Sequence, residues 1–79
     1  MQDFMIHLAS VADVKQVVAC ALEYPCEIDL ISGRYVVDAK SIMGIFSIDL
    51  TKPIAVKVRG TEDEAKKFYE DVKDFVVEE

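Results

Sequence analysis

The sequence predicts an α/β fold of the α+β kind: a two-layer, open-faced sandwich in the order β-α-β-β-α-β-α. Its four-stranded, mainly antiparallel sheet would carry three helices on one face. Three observations predict it. Three short segments show the two-residue alternation of half-buried strands, and a fourth strand returns from a turn. Two longer segments repeat apolar residues at helical spacing behind hydroxyl caps. The 79 residues contain no linker, repeat or low-complexity stretch, so a single domain over 1–79 is expected, burying roughly 60% of its unfolded surface.

Each element has its own warrant. Phe4-Met5-Ile6-His7-Leu8 sets Phe4, Ile6 and Leu8 on one face and Met5 and His7 on the other, a first strand. Ser10-Val11-Ala12-Asp13 has the spacing of a capping box. Val11, Val14, Val18, Ala21 and Leu22 then form a helical stripe over 11–23, widened by Val17. Its β-branched residues make this helix depend on packing. Pro25 stops it. Cys26, Ile28 and Leu30 alternate with Glu27, Asp29 and Ile31 as far as the Ser32-Gly33 turn, and Tyr35 to Asp38 returns, giving a hairpin over 26–38. Ser41 caps a short helix from Ile42 to Phe46, and Lys52-Pro53 breaks the chain. Ile54, Val56 and Val58 alternate with Ala55, Lys57 and Arg59 in the fourth strand. Thr61 and Glu64 form a second capping box, opening a last helix whose inward face is Ala65, Phe68, Val72, Phe75 and Val76.

Composition narrows the function. The net charge is −6, from 9 basic and 15 acidic residues, which argues against binding nucleic-acid phosphates or an anionic membrane. From Thr61 onward 3 basic residues face 8 acidic ones, so the acidity belongs to the last helix and the segment 42–46 is near neutral. No apolar run approaches the roughly 18 residues that span a bilayer. Met1-Gln2-Asp3-Phe4 lacks the basic and apolar regions of a secretory signal, so a cytoplasmic setting is expected, with Cys20 and Cys26 as reduced, small core residues. A single histidine, no CxxC pair, no DxDxDG loop, no GxSxG and no glycine-rich phosphate loop leave no metal, cofactor or catalytic site to expect, and the chain does not read as an enzyme.

The stretch SGRYVVDAKSIMGIFS, from Ser32 to Ser47, and above all Lys40-Ser41-Ile42-Met43-Gly44, resembles the HPr family, the histidine phosphocarriers of the bacterial sugar phosphotransferase system. Gly60-Thr61-Glu62-Asp63 resembles that family's entry to its last helix, and the element order agrees throughout. In the family the active histidine caps the first helix within Gly-x-His-Ala-Arg-Pro and takes phosphate from enzyme I beside free helix amides and an arginine. Here that position is Ser10, followed by Val11, Ala12 and Asp13, with no histidine, arginine or proline. Asp13 would oppose a phosphoryl dianion by about 1 kcal/mol even near solvent. The resemblance therefore implies a regulatory or protein-interaction variant without histidine phosphotransfer.

Four points remain open at this stage. His7 lies in the first strand away from the helix start, either as a histidine without chemistry or as a substitute phosphate acceptor. The resemblance implies Ser41 as the target of a serine kinase, whose product binds a transcriptional regulator; the plainer account is an N-cap worth about 1 kcal/mol. Lys40, Ile42, Met43 and Phe46 match the family's partner-docking surface, with Met43 and Phe46 spaced i, i+3 and Ile42 and Ile45 able to face inward; a core-packed helix is the bland account. Finally, the likeness could be fold-deep only, leaving an orphan structural module.

Overall fold

The computed structural model describes residues 3–78; Met1 and Gln2 of the N-terminal reading, and Glu79, lie outside them. Strands β1 (Phe4–Ile6), β2 (Glu27–Ser32), β3 (Tyr35–Asp38), β4 (Ile54–Arg59) and β5 (Val76–Val77) alternate with helices α1 (Val11–Leu22), α2 (Ile42–Phe46) and α3 (Glu62–Asp71). The sheet order is β3-β2-β4-β1-β5, and every neighbouring pair is antiparallel.

The sheet thus has five strands where four were expected. The last helix was expected to run through Phe75 and Val76, but α3 ends at Asp71, a 3-10 turn covers Lys73–Phe75, and Val76–Val77 pairs with Met5 and Ile6. Glu70 and Asp71 crowd the helix end with no basic residue in the last turn, which the helix dipole disfavours. The two β-branched valines instead cover the open backbone edge of β1. β1 is also shorter than expected. His7 and Leu8 belong to the connection to α1, and the His7 amide donates to the Phe75 carbonyl at 2.9 Å.

One hydrophobic cluster joins Ile6, Ile28, Leu30, Ile54 and Val56 from the strands to Val14, Val17, Ala21, Ile45, Phe68 and Val72 from the helical side. All three helices therefore cover one face of the sheet. Within α1 the buried residues are Val14, Val17 and Ala21; Val11 and Leu22, expected on the inward stripe, are 55% and 62% exposed. They sit at the two helix ends, where the core no longer reaches. The β2–β3 hairpin closes through Gly33 at φ +60°, a conformation that side-chain-bearing residues adopt at a cost.

Candidate functional site

The start of α1 is built by Ser10. Its extended backbone presents Oγ to the Asp13 amide at 3.2 Å, and its carbonyl accepts from Val14 at 3.2 Å. The Asp13 carboxylate reaches back to the Ala9 amide at 2.9 Å, one residue before the cap. The first turn is thus closed by the chain's own hydroxyl and carboxylate, and a negative charge already sits at the positive end of the helix.

α2 lies beside it. Ser41 caps α2 through Oγ, which accepts from the Gly44 amide at 3.1 Å, and Ser47 Oγ donates to the Gly44 carbonyl at 2.6 Å at the other end. Ile45 is fully buried and Ile42 half-buried against the core, whereas Met43 is 78% and Phe46 44% exposed. Three of the four residues matched to a docking surface therefore divide as their spacing implied, with Met43 and Phe46 outward and Ile42 anchoring. Lys40 differs. Its amide is held by Asp38 Oδ1 at 2.8 Å, and its ammonium donates to the Tyr24 carbonyl at 2.6 Å, so it ties α2 to the end of α1.

Between these two helices is a shallow concavity of about 530 Å3, lined by His7, Leu8, Ser10, Val11, Phe46 and Leu50 among others. His7 is therefore not removed from the helix start, as its place in a strand would require. The shorter β1 releases it into the loop that forms this wall, and its imidazole has no hydrogen-bond partner among the described residues. Val11, Leu50 and Thr51 were not anticipated at the site. Thr51 is positioned by Asp49, whose Oδ1 accepts from its amide at 3.0 Å and from its hydroxyl, and these bonds hold the Asp49 carboxyl below its usual range. The Asp-x-Thr spacing was the readable signal for that turn.

A larger concavity, about 730 Å3, lies elsewhere, between the end of α1 and α3, with Cys20, Glu23, Tyr24, Lys67 and Asp71 on its walls. Two of its polar groups are engaged with each other: Tyr24 Oη donates to Asp71 at 2.6 Å. Burial, then Asp71 and Glu23, push the Cys20 thiol up, which makes it a poorer nucleophile. Cys20 and Cys26 are both free and half-buried. Among the described residues no three His, Cys, Asp or Glu side chains group as metal ligands, and no helix is long and apolar enough to cross a membrane.

The family model described as the PTS HPr component phosphorylation site matches residues 12–78. No curated protein matches the sequence significantly. Among solved structures, HPr-C-His from Thermoanaerobacter tengcongensis superposes with a TM-score of 0.76 at 22% identity, over 94% of this chain and 89% of that one. The phosphocarrier protein HPr of Bacillus anthracis gives 0.71 at 21% identity, over 96% of each chain. The catabolite repression protein Crh of Bacillus subtilis gives 0.66 at 21% identity, over 92% of this chain and 87% of that one. At these identities the structures speak for the fold, a small α+β sandwich of the phosphocarrier type. The family match covers most of the sequence, and the chain belongs to the HPr family of the phosphotransferase system. The matched stretch contains Ser41, Met43 and Phe46 but begins after both His7 and Ser10.

Proposed function

We propose that this protein is a regulatory or protein-interaction member of the HPr family that does not carry phosphate on histidine and does not act as an enzyme. The observation that carries this reading is the start of α1, where Ser10 and Asp13 close the first turn in place of a histidine beside an arginine. Its partners are proteins of the phosphotransferase system or its regulation: a serine kinase or a transcriptional regulator, docking on Met43 and Phe46, in a cytoplasmic setting. The exposure of these two side chains beside a buried Ile45 supports a docking role over a core-packed helix. The fold likeness to Crh, whose own name refers to catabolite repression, is in keeping with it.

Ser41 is the switch in this reading. Its Oγ already meets the Gly44 amide, so phosphate oxygens attached there would replace a neutral cap by a charge-assisted one without unwinding α2. A second reading, phosphate transfer from enzyme I to His7, is favoured by one observation: the unpartnered imidazole lines the concavity next to Ser10 and Phe46. One experiment separates the two. The protein is incubated with phosphoenolpyruvate and enzyme I, and separately with the family serine kinase and ATP, and both are read by site-resolved mass spectrometry. Phosphoserine at Ser41 with no phosphohistidine is the expected result. Stable phosphohistidine at His7 would overturn the main reading, and an unmodified Ser41 would reduce that residue to a cap.

A further inference from the structure

A third concavity, about 560 Å3, lies where the β2–β3 hairpin meets the segment after α2, and the buried Ile48 lines it in part. Ser32 and Tyr35 are register partners across the hairpin. By alternation they share the face of Leu30 and Val37, the side the helices cover, but they stand one step beyond those core residues. Gly33 and Arg34 make the turn between them, which sets Arg34 at the rim. Segment 46–52 is the opposite wall and is shared between two concavities. Phe46, Leu50 and Thr51 line the one beside His7, whereas Ser47, Ile48, Asp49 and Lys52 line this one.

The charge of this lining runs against that of the whole chain, which is −6. Arg34 and Lys52 stand against a single carboxylate, Asp49. The α1–α3 concavity sets Lys66 and Lys67 against Glu23, Glu64, Glu70 and Asp71, and the one beside His7 has no Lys, Arg, Asp or Glu in its lining. Donors are available as well. The side chains of Arg34, Ser32 and Tyr35 make no hydrogen bond or ion pair among the described residues, and Lys52 makes no ion pair there. Ser47 differs, since its hydroxyl already donates to the Gly44 carbonyl. Asp49 engages Oδ1 with Thr51, and its charge remains as the one local opponent of an anion.

We propose that this concavity binds a small phosphomonoester with a planar body, its phosphate between Arg34 and Lys52 and its ring against Tyr35. The guanidinium fork suits two phosphate oxygens, and Lys52 adds a second positive charge for a dianion. The Ser32 hydroxyl is a free donor on the same side. A carboxylate would occupy the guanidinium and leave Lys52 without a counter-charge, so phosphate is the better match. Tyr35 is 65% exposed, and a planar body would cover its ring. The volume falls within the range of small-molecule sites, about 300–1,000 Å3. Asp49 and the exposure of both cations keep binding weak, with a dissociation constant on the order of 1 mM. Met43 and Phe46 do not line this concavity, so it is separate from the docking face.

Amide chemical shifts of the full chain, titrated with phenyl phosphate at fixed ionic strength to about 10 mM, test this. Shifts are expected over residues 32–35 and 47–52. Inorganic phosphate should bind about fivefold more weakly for want of the ring, and benzoate and phenol more weakly still. Arg34→Gln and Lys52→Gln should each weaken phenyl phosphate about fivefold. Tyr35→Leu should weaken phenyl phosphate but not inorganic phosphate. Asp49→Asn, which keeps an oxygen for Thr51 and removes the charge, should tighten both about threefold. All four positions are exposed, and an unchanged spectrum away from the concavity confirms that each variant is folded. No binding over this range overturns the proposal. So do shifts that spread equally to Lys15, Lys57, Lys66 and Lys67, indifference to Arg34→Gln and Lys52→Gln, or loss of binding with Met43→Ser. Benzoate, or a short oligoglutamate peptide, binding as well as phenyl phosphate overturns it too.

Discussion

The Lys40 ammonium donates a 2.6 Å hydrogen bond to the Tyr24 carbonyl, joining the turn before α2 to the end of α1. A residue matched by resemblance to a docking surface thereby holds together the two helices that frame the concavity. Lys40→Met keeps most of the aliphatic stem and removes the donor. It should cost about 1 kcal/mol in chemical denaturation and leave partner binding through Met43 and Phe46 within about twofold.

Tyr24 itself links α1 to α3 through Asp71. Burial first, and then the Asp71 hydrogen bond, raise its hydroxyl well above the usual phenol range. The unfolded chain releases this proton near pH 10 while the folded chain retains it, so the tyrosine's contribution is complete below about pH 10 and falls as pH rises further. Tyr24→Phe should lower stability by about 1 kcal/mol at neutral pH and flatten the decline above about pH 10. Urea midpoints measured at several pH values read both effects.

The two sides of α2 should respond in opposite ways. Ile45 is fully buried, and Ile45→Ala should cost about 2–5 kcal/mol. Met43 is 78% exposed, and Met43→Ser together with Phe46→Ser should change stability far less while abolishing partner capture. Unfolding of the double variant would place these residues in the core instead.

Gly60 precedes the Thr61–Glu64 capping box at close quarters. A Cβ there would lie 2.5 Å from Glu64 Oε1 and 2.8 Å from Cys26 Sγ. Glu64 Oε1 is the acceptor for the Thr61 amide at 2.9 Å, so the intruding methyl would displace the cap. Gly60→Ala is expected to destabilise by about 1–2 kcal/mol, measured as a shift in the urea midpoint at unchanged slope.

If only the start of α1 separates this chain from a phosphocarrier, grafting should convert it. Ser10→His with Ala12→Arg and Asp13→Pro restores the acceptor and cation and removes the opposing charge. Enzyme I and phosphoenolpyruvate should then yield phosphohistidine at position 10, read by mass spectrometry, while the parent yields none. Failure of the folded graft would show that the concavity, not the cap alone, has diverged.

Period and capping determined much of this protein from the sequence alone. Ile28 and Leu30, Ile54 and Val56, and the caps Ser10, Ser41 and Thr61 are where alternation and hydroxyl spacing place them, because these signals act within one turn or one strand. The outward Met43 and Phe46 follow from the same local geometry. Long-range pairing decided the rest. Val76 and Val77 fit a helical stripe as well as a strand, and only the open edge of β1 selects the strand. His7 reads as a strand residue until that pairing shows where β1 ends, and only then does it join Ser10 and Phe46 at the concavity. Lys40 has no sequence mark of its bond to Tyr24, 16 positions away, since such a contact exists only once both helices have docked. Val36, Ile31, Ala55, Met5 and Val77 come from five separate strands and become neighbours across the sheet only when the register aligns them.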